Sequence, residues 1–126
     1  MKADRKHTIY LLDDDVSVYS SMALLLSNID AKLHFFTILD NLIHAINNAP
    51  PDCLLVELNL KPDNGLVIFE ALKSLNIDPP TIFLSTHNST STAVEAMKAG
   101  ALDFIEKPFT ETRLINAIIG VIDSHQ

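Results

Sequence analysis

Pro50-Pro51-Asp52-Cys53-Leu54-Leu55-Val56-Glu57-Leu58-Asn59-Leu60 sets a proline pair in front of an apolar run that carries one carboxylate near its middle. Two successive prolines cannot extend a helix, so any preceding helix ends before them. Cys53 to Val56 shows no inside-outside alternation, which is the pattern of a strand covered on both faces of a parallel sheet. Four more short apolar runs follow the same rule or come close to it: Ile9 to Leu12, Leu33 to Phe36, Thr81 to Leu84 behind the second pair Pro79-Pro80, and Leu102 to Ile105.

Between the runs the apolar spacing is helical. Val18, Met22, Leu25 and Ile29 share one face, as do Leu66, Phe69 and Leu72. Ser91, Thr92 and Glu95 mark a helix start, with Thr92 and Glu95 at capping-box spacing, and Gly100 suits the position just past the helix end. Leu114, Ala117, Ile118 and Val121 form the last stripe. Five strands alternating with five helices predict a doubly wound α/β sandwich, because parallel strands need helical crossovers.

The 126-residue chain, 48% hydrophobic and 20% charged, is expected to be a single domain spanning residues 1–126. A net charge of −7, with 9 Lys and Arg against 16 acids, opposes direct nucleic-acid binding, which needs a basic face for phosphates. Cys53 is the only cysteine, which excludes an intrachain disulfide and a Cys-rich metal site and fits a cytoplasmic protein. The apolar segment after MKADRKH stops at Leu12, too short for a signal-peptide core, and no run approaches the ~18 apolar residues of a membrane span. The five histidines, His7, His34, His44, His87 and His125, show no metal-ligand spacing, although His87 falls beside the strand ends considered next. Asn88-Ser89-Thr90 matches a glycosylation sequon and is read instead as loop and helix-cap chemistry.

In such sheets function gathers at the carboxyl ends of the strands. The first run ends in Asp13-Asp14-Asp15, the third in Glu57, the fourth in Ser85-Thr86 and the fifth in Glu106-Lys107-Pro108. Singly, such residues are ordinary helix caps. Together they set hard oxygen ligands of the kind that suit Mg²⁺ beside a hydroxyl and a lysine that suit phosphoryl oxygens, which is phosphoryl-transfer chemistry.

These motifs resemble the receiver domains of two-component response regulators over essentially the whole chain. The resemblance is carried by IYLLDDD, by Gly65 eight residues past Glu57, by Ser85 after TIFL, and above all by AVEAMKAGALDFIEKPF from Ala93 to Phe109. It implies a flavodoxin-like three-layer sandwich with strand order 2-1-3-4-5 and five helices, acting as a signalling domain rather than an enzyme. It also implies a metal set of Asp13, Asp14, Glu57 and the backbone carbonyl of Asn59, with Mg²⁺ as cofactor. Glu57 falls at the phosphoacceptor position, Ser85 is the switch hydroxyl, Phe104 the switch aromatic, and Lys107 the phosphate-pairing lysine in a cis Lys-Pro bond. A sensor histidine kinase is the implied partner. The ending of this segment is similar to receivers of transcriptional regulators, so an effector domain after Gln126 is expected.

The family has aspartate where this chain has Glu57. The loop beyond also departs, with Lys61 where proline is usual and Pro62 one position late. Glutamate carries its carboxylate about one C–C bond farther out, and in-line phosphoryl transfer tolerates little error: a misplacement of about 1 Å can cost on the order of 100-fold. Three outcomes follow: a phosphorylation-independent receiver biased toward its active state, an inert interaction scaffold, or residual phosphorylation. Glu57 imitates a phosphoryl group only in part, because one carboxylate has less charge and one oxygen fewer. Mg²⁺ is correspondingly expected to bind weakly or not at all, with Glu57 reaching Lys107 instead. Asp63 is a possible substitute acceptor, but aspartate is common in turns such as Pro62-Asp63-Asn64-Gly65.

A competing reading is a metal-dependent phosphatase of the haloacid dehalogenase type, with Asp13 and Asp15 as the paired aspartates and Ser85 and Lys107 downstream. Against it, Ser17 stands where that first motif wants Thr or Val, and only one helix follows Lys107. The last helix carries a second apolar stripe, Ile115, Ile119 and Ile122. The expectation is a homodimer through the fourth helix, fifth strand and fifth helix, ringed by Glu95, Lys98, Asp103, Glu106, Glu111 and Arg113. The other reading of the stripe is cover by the neighbouring first helix or the chain ends.

Overall fold

Residues 7–86 and 90–124, described in a computed structural model, alternate strand and helix along the chain. The elements are β1 His7–Leu12, α1 Val16–Leu26, β2 Ala31–Phe36, α2 Leu39–Asn48, β3 Cys53–Glu57, α3 Gly65–Ser74, β4 Thr81–Ser85, α4 Thr90–Ala99, β5 Asp103–Glu106 and α5 Glu111–Ser124. All pairings are parallel, in the order β2-β1-β3-β4-β5. This is the flavodoxin-like three-layer architecture expected.

The missing alternation in the strands has a direct cause. Ile9, Leu11, Cys53, Leu55, Ile82 and Leu84 face one layer, packed with Met22 and Leu26 of α1 and with Leu114, Ile118 and Val121 of α5. Tyr10, Leu12, Leu54, Val56 and Phe83 face the other, with Leu42, Ile46, Ile68, Phe69, Leu72 and Ala96 of α2, α3 and α4. Every residue of β3 and β4 is buried, and each large apolar side chain so covered contributes roughly 1.5–3 kcal/mol. The register then fixes the rim: Leu12 pairs with Val56, Glu57 with Leu84 and Ser85 with Glu106, so Asp13, Glu57, Ser85 and Lys107 leave the sheet on one edge.

Helix ends follow local chemistry. Asp15 caps α1 by accepting from the Ser17 N–H at 2.9 Å. Asn64 caps α3 through the Val67 N–H at 2.9 Å. Gly100, with φ +116, ends α4: its N–H bonds to the Met97 carbonyl at 3.1 Å and the Ala101 N–H to the Ala96 carbonyl at 3.1 Å.

Several expectations shift. β5 covers Asp103–Glu106 rather than Leu102 to Ile105; Leu102 still gives its N–H to the Thr81 carbonyl, but its side chain turns outward and is 40% exposed. α4 begins at Thr90, so Thr92 and Glu95 lie inside the helix instead of forming its capping box. On α5, Ile122 is buried and Ile115 packs partly against the layer shared with α1, leaving Ile119 as the exposed member. Arg113 reaches Asp103 of β5, and Ile115 two residues on lies about 200° around the helix. The stripe therefore sits on the α1 flank, not on the α4-β5-α5 face. No helix among the described residues is long and apolar enough to cross a membrane.

Candidate functional site

At the carboxyl edge of the sheet the buried polar residues are Asp13, Glu57 and Ser85, each at most 2% exposed. Their neighbour Lys107 follows β5 and enters a cis bond to Pro108. The Lys107 ammonium donates to Asp13 Oδ2 at 2.9 Å and makes a closer ion pair with Glu57 Oε1. The remaining carboxylate oxygens are also engaged: the Asp15 N–H donates to Asp13 Oδ1 at 3.1 Å, and the Asn59 N–H donates to Glu57 Oε2 at 2.7 Å.

Burial disfavours the charged form of each partner, and the outcome differs between them. Burial raises the Asp13 carboxyl above its ordinary range, with the Lys107 hydrogen bond pulling the other way. For Lys107, burial acts to lower the value, but the hydrogen bonds and charges of Glu57 and Asp13 together outweigh it and hold the ammonium above its ordinary range. The lysine is thus a firmly protonated cation between two buried acids.

The loop after β3 completes the edge. Asn59 Oδ1 accepts from Ser85 Oγ at 3.3 Å and from the Thr86 N–H at 3.1 Å, tying β3 to β4. Thr86 Oγ1 reaches Glu57 Oε1 at 3.5 Å. Thr86 had no assigned role in the sequence, yet its position directly after Ser85 in the run TIFLST was the available signal. Gly65, at the start of α3, is required by close approach: its N–H bonds to the Leu58 carbonyl at 2.8 Å, and a Cβ there would lie 2.5 Å from the Glu57 carbonyl oxygen. Lys61-Pro62 is a second cis bond. Phe104 is half-buried against the α2-α3-α4 layer and lines an open groove of about 430 Å³ with Ala93, Glu106, Phe109 and Arg113.

The structure thus joins Asp13, Glu57, Asn59, Ser85 and Lys107, while Phe104 lies on the neighbouring strand β5 opposite Phe83, two residues before Ser85. Of the expected metal set, Asp13 and Glu57 are drawn together by Lys107. Asp14 is exposed, Asn59 engages the site through its N–H and Oδ1, and among the described residues no three His, Cys, Asp or Glu side chains gather where a metal ion could be held. His87, Asn88, Ser89 and His125 lie outside the described residues.

This geometry matches known proteins. The family model for the response regulator receiver domain matches residues 9–119. The response regulator protein TodT of Pseudomonas putida is 35% identical over 116 residues, covering 92% of this chain and 51% of TodT. The transcriptional regulatory protein FixJ of Rhizobium meliloti is 32% identical over 112 residues, covering 89% of this chain and 55% of FixJ. The crystal structure of FixJ-N superposes with a TM-score of 0.83 at 30% identity, covering 97% of both chains. This chain spans about half the length of the curated relatives it matches. Its sheet order, its edge of Asp13, Ser85 and Lys107, and its match over residues 9–119 identify it as a member of the response regulator receiver domain family of two-component signalling.

Proposed function

We propose that this receiver signals without being phosphorylated, and that Glu57 permanently supplies part of what a phosphoryl group would supply. The observation that carries this is the Glu57–Lys107 ion pair. Lys107 makes to a resident carboxylate the contact it would make to a phosphoryl oxygen, so the charge half of the activated arrangement is built in. Glu57 is meanwhile a poor acceptor: one oxygen is covered by Lys107 and the other by the Asn59 N–H. An in-line nucleophile needs a free, well-aimed oxygen. Ser85 and Phe104 are the elements through which the fixed charge is read out, as hydroxyl and aromatic switch. The domain works by binding and switching rather than as an enzyme.

In this reading the chain is the receiver of a longer, cytoplasmic transcriptional regulator, a role that the names of relatives such as FixJ support. DNA contact belongs to an effector and not to this acidic domain. A sensor histidine kinase docks without productive transfer. Self-association through α4, β5 and α5 is carried by the exposed Val94, Met97 and Leu102 beside the Asp103–Arg113 pair, with the α5 isoleucine stripe playing no part. Incubation with acetyl phosphate and Mg²⁺ followed by intact-mass measurement tests the reading. The parent chain should keep its mass and Glu57→Asp should gain one phosphoryl group; a phosphoryl adduct on the parent chain overturns it.

A further inference from the structure

A receiver edge with two or three acids calls for a divalent cation to hold them together. Here the two buried acids are already held. Asp13 Oδ2 and Glu57 Oε1 share the Lys107 ammonium, Asp13 Oδ1 takes the Asp15 N–H, and Glu57 Oε2 takes the Asn59 N–H. Every oxygen of the two carboxylates therefore has a donor, and no buried side-chain polar atom among the described residues lacks a partner. The third acid, Asp14, faces solvent.

We infer that Lys107 is the resident cation of this site, and that it excludes a divalent metal from between Asp13 and Glu57. Asp13, Glu57 and Lys107 sum to one negative charge, which leaves little electrostatic pull on a doubly charged ion. An ion bridging the two carboxylates would sit within a few ångström of the ammonium, where low local dielectric makes repulsion between cations strong. Mg²⁺ adds a geometric demand, near-ideal octahedral coordination at short distances, that a pair of already bonded carboxylates does not meet. The length of Glu57 is the cause: its extra carbon brings the carboxylate to Lys107, whereas aspartate at the same position would stop about one C–C bond short.

This deepens the phosphorylation-independent reading and rests on Glu57 occupying the acceptor position, but it has its own readout. Thermal melts followed by circular dichroism, with and without about 10 mM Mg²⁺, are paired with Mn²⁺ titrations that read free ion by electron paramagnetic resonance. The parent chain should melt at the same temperature in both conditions and leave the free Mn²⁺ signal undiminished. Lys107→Met and Glu57→Asp should each deplete Mn²⁺ and gain on the order of 5 °C with Mg²⁺, since a ligand that binds only the folded state raises its melting point. Should Lys107→Met fail to fold, Glu57→Asp carries the test, because it keeps both the lysine and the acids. A parent chain that binds Mn²⁺ or is stabilised by Mg²⁺ overturns the inference, even if it remains unphosphorylated. So does a folded Glu57→Asp variant that stays indifferent to both ions, because something other than the lysine bridge would then be excluding them.

Discussion

Replacing Lys107 by methionine removes the ammonium and keeps most of the apolar stem. Asp13 and Glu57, 1% and 2% exposed, would then face each other with no cation between them. Removing one partner of a buried ion pair costs about 3–5 kcal/mol, because an uncompensated charge is left behind. The lower end applies here. The lysine side chain is 14% exposed, so some solvent reaches the site, and the Asp15 and Asn59 N–H groups still hold one oxygen of each acid. A loss of about 3 kcal/mol is expected, a large part of the roughly 5–15 kcal/mol that stabilises a domain. With a urea slope of about 1–3 kcal/mol/M, the unfolding midpoint at neutral pH should fall by more than ~1 M. Glu57→Gln is the matched control: it leaves Lys107 and Asp13 as a one-to-one pair and should stay within about 1 kcal/mol of the parent. A Lys107→Met loss below ~1 kcal/mol would refute the reasoning, for the ammonium would not then be compensating the two acids.

Three further outcomes follow. Arg113 holds the Asp103 carboxyl below the usual range by a two-pronged hydrogen bond at 3.0 and 3.1 Å, so the pair stabilises the fold above the unfolded carboxylate pKa of about 4 and is lost as pH falls through the lower folded value; melts of Asp103→Asn and the parent should differ at neutral pH and converge below about pH 4. Gly65→Ala would drive a Cβ to 2.5 Å from the Glu57 carbonyl oxygen and 2.9 Å from Val56 Cγ1, and should cost about 1–3 kcal/mol in urea unfolding by forcing the end of β3 to move. Burial pushes the Cys53 thiol up to about 12, so a chromogenic disulfide reagent near pH 8 should leave the native protein unlabelled and react promptly in urea.

The fold was legible because β3 and β4 are buried throughout and β1 over its last four residues, which makes those apolar runs continuous and the proline pairs before β3 and β4 unambiguous. Legibility fell where one edge of an element meets solvent. β5 is an edge strand, and Leu102, though apolar, lies just outside it with its side chain turned away, so hydrophobicity placed the strand one residue early. The stripe on α5 was readable but its neighbour was not, because periodicity gives the angle of a face and not which helix covers it. At the site, the residues Asp13, Glu57, Ser85 and Lys107 followed from their places at strand ends. Their partners did not: that Asn59 ties Glu57 to Ser85 and Thr86, and that Asp14 faces outward, depends on loop conformation that spacing along the chain does not encode.

The central claim is that the Glu57–Lys107 pair leaves no room for a phosphoryl group and its metal. Beryllofluoride tests it directly, since this tetrahedral phosphoryl analogue attaches to an acceptor carboxylate with a divalent cation alongside. Amide ¹H–¹⁵N spectra of the parent chain, recorded before and after saturating beryllofluoride and Mg²⁺, should superimpose at Asn59, Ser85, Thr86, Phe104 and Lys107, while those of Glu57→Asp should shift at the same residues. Saturable shifts of these amides in the parent chain would contradict the account.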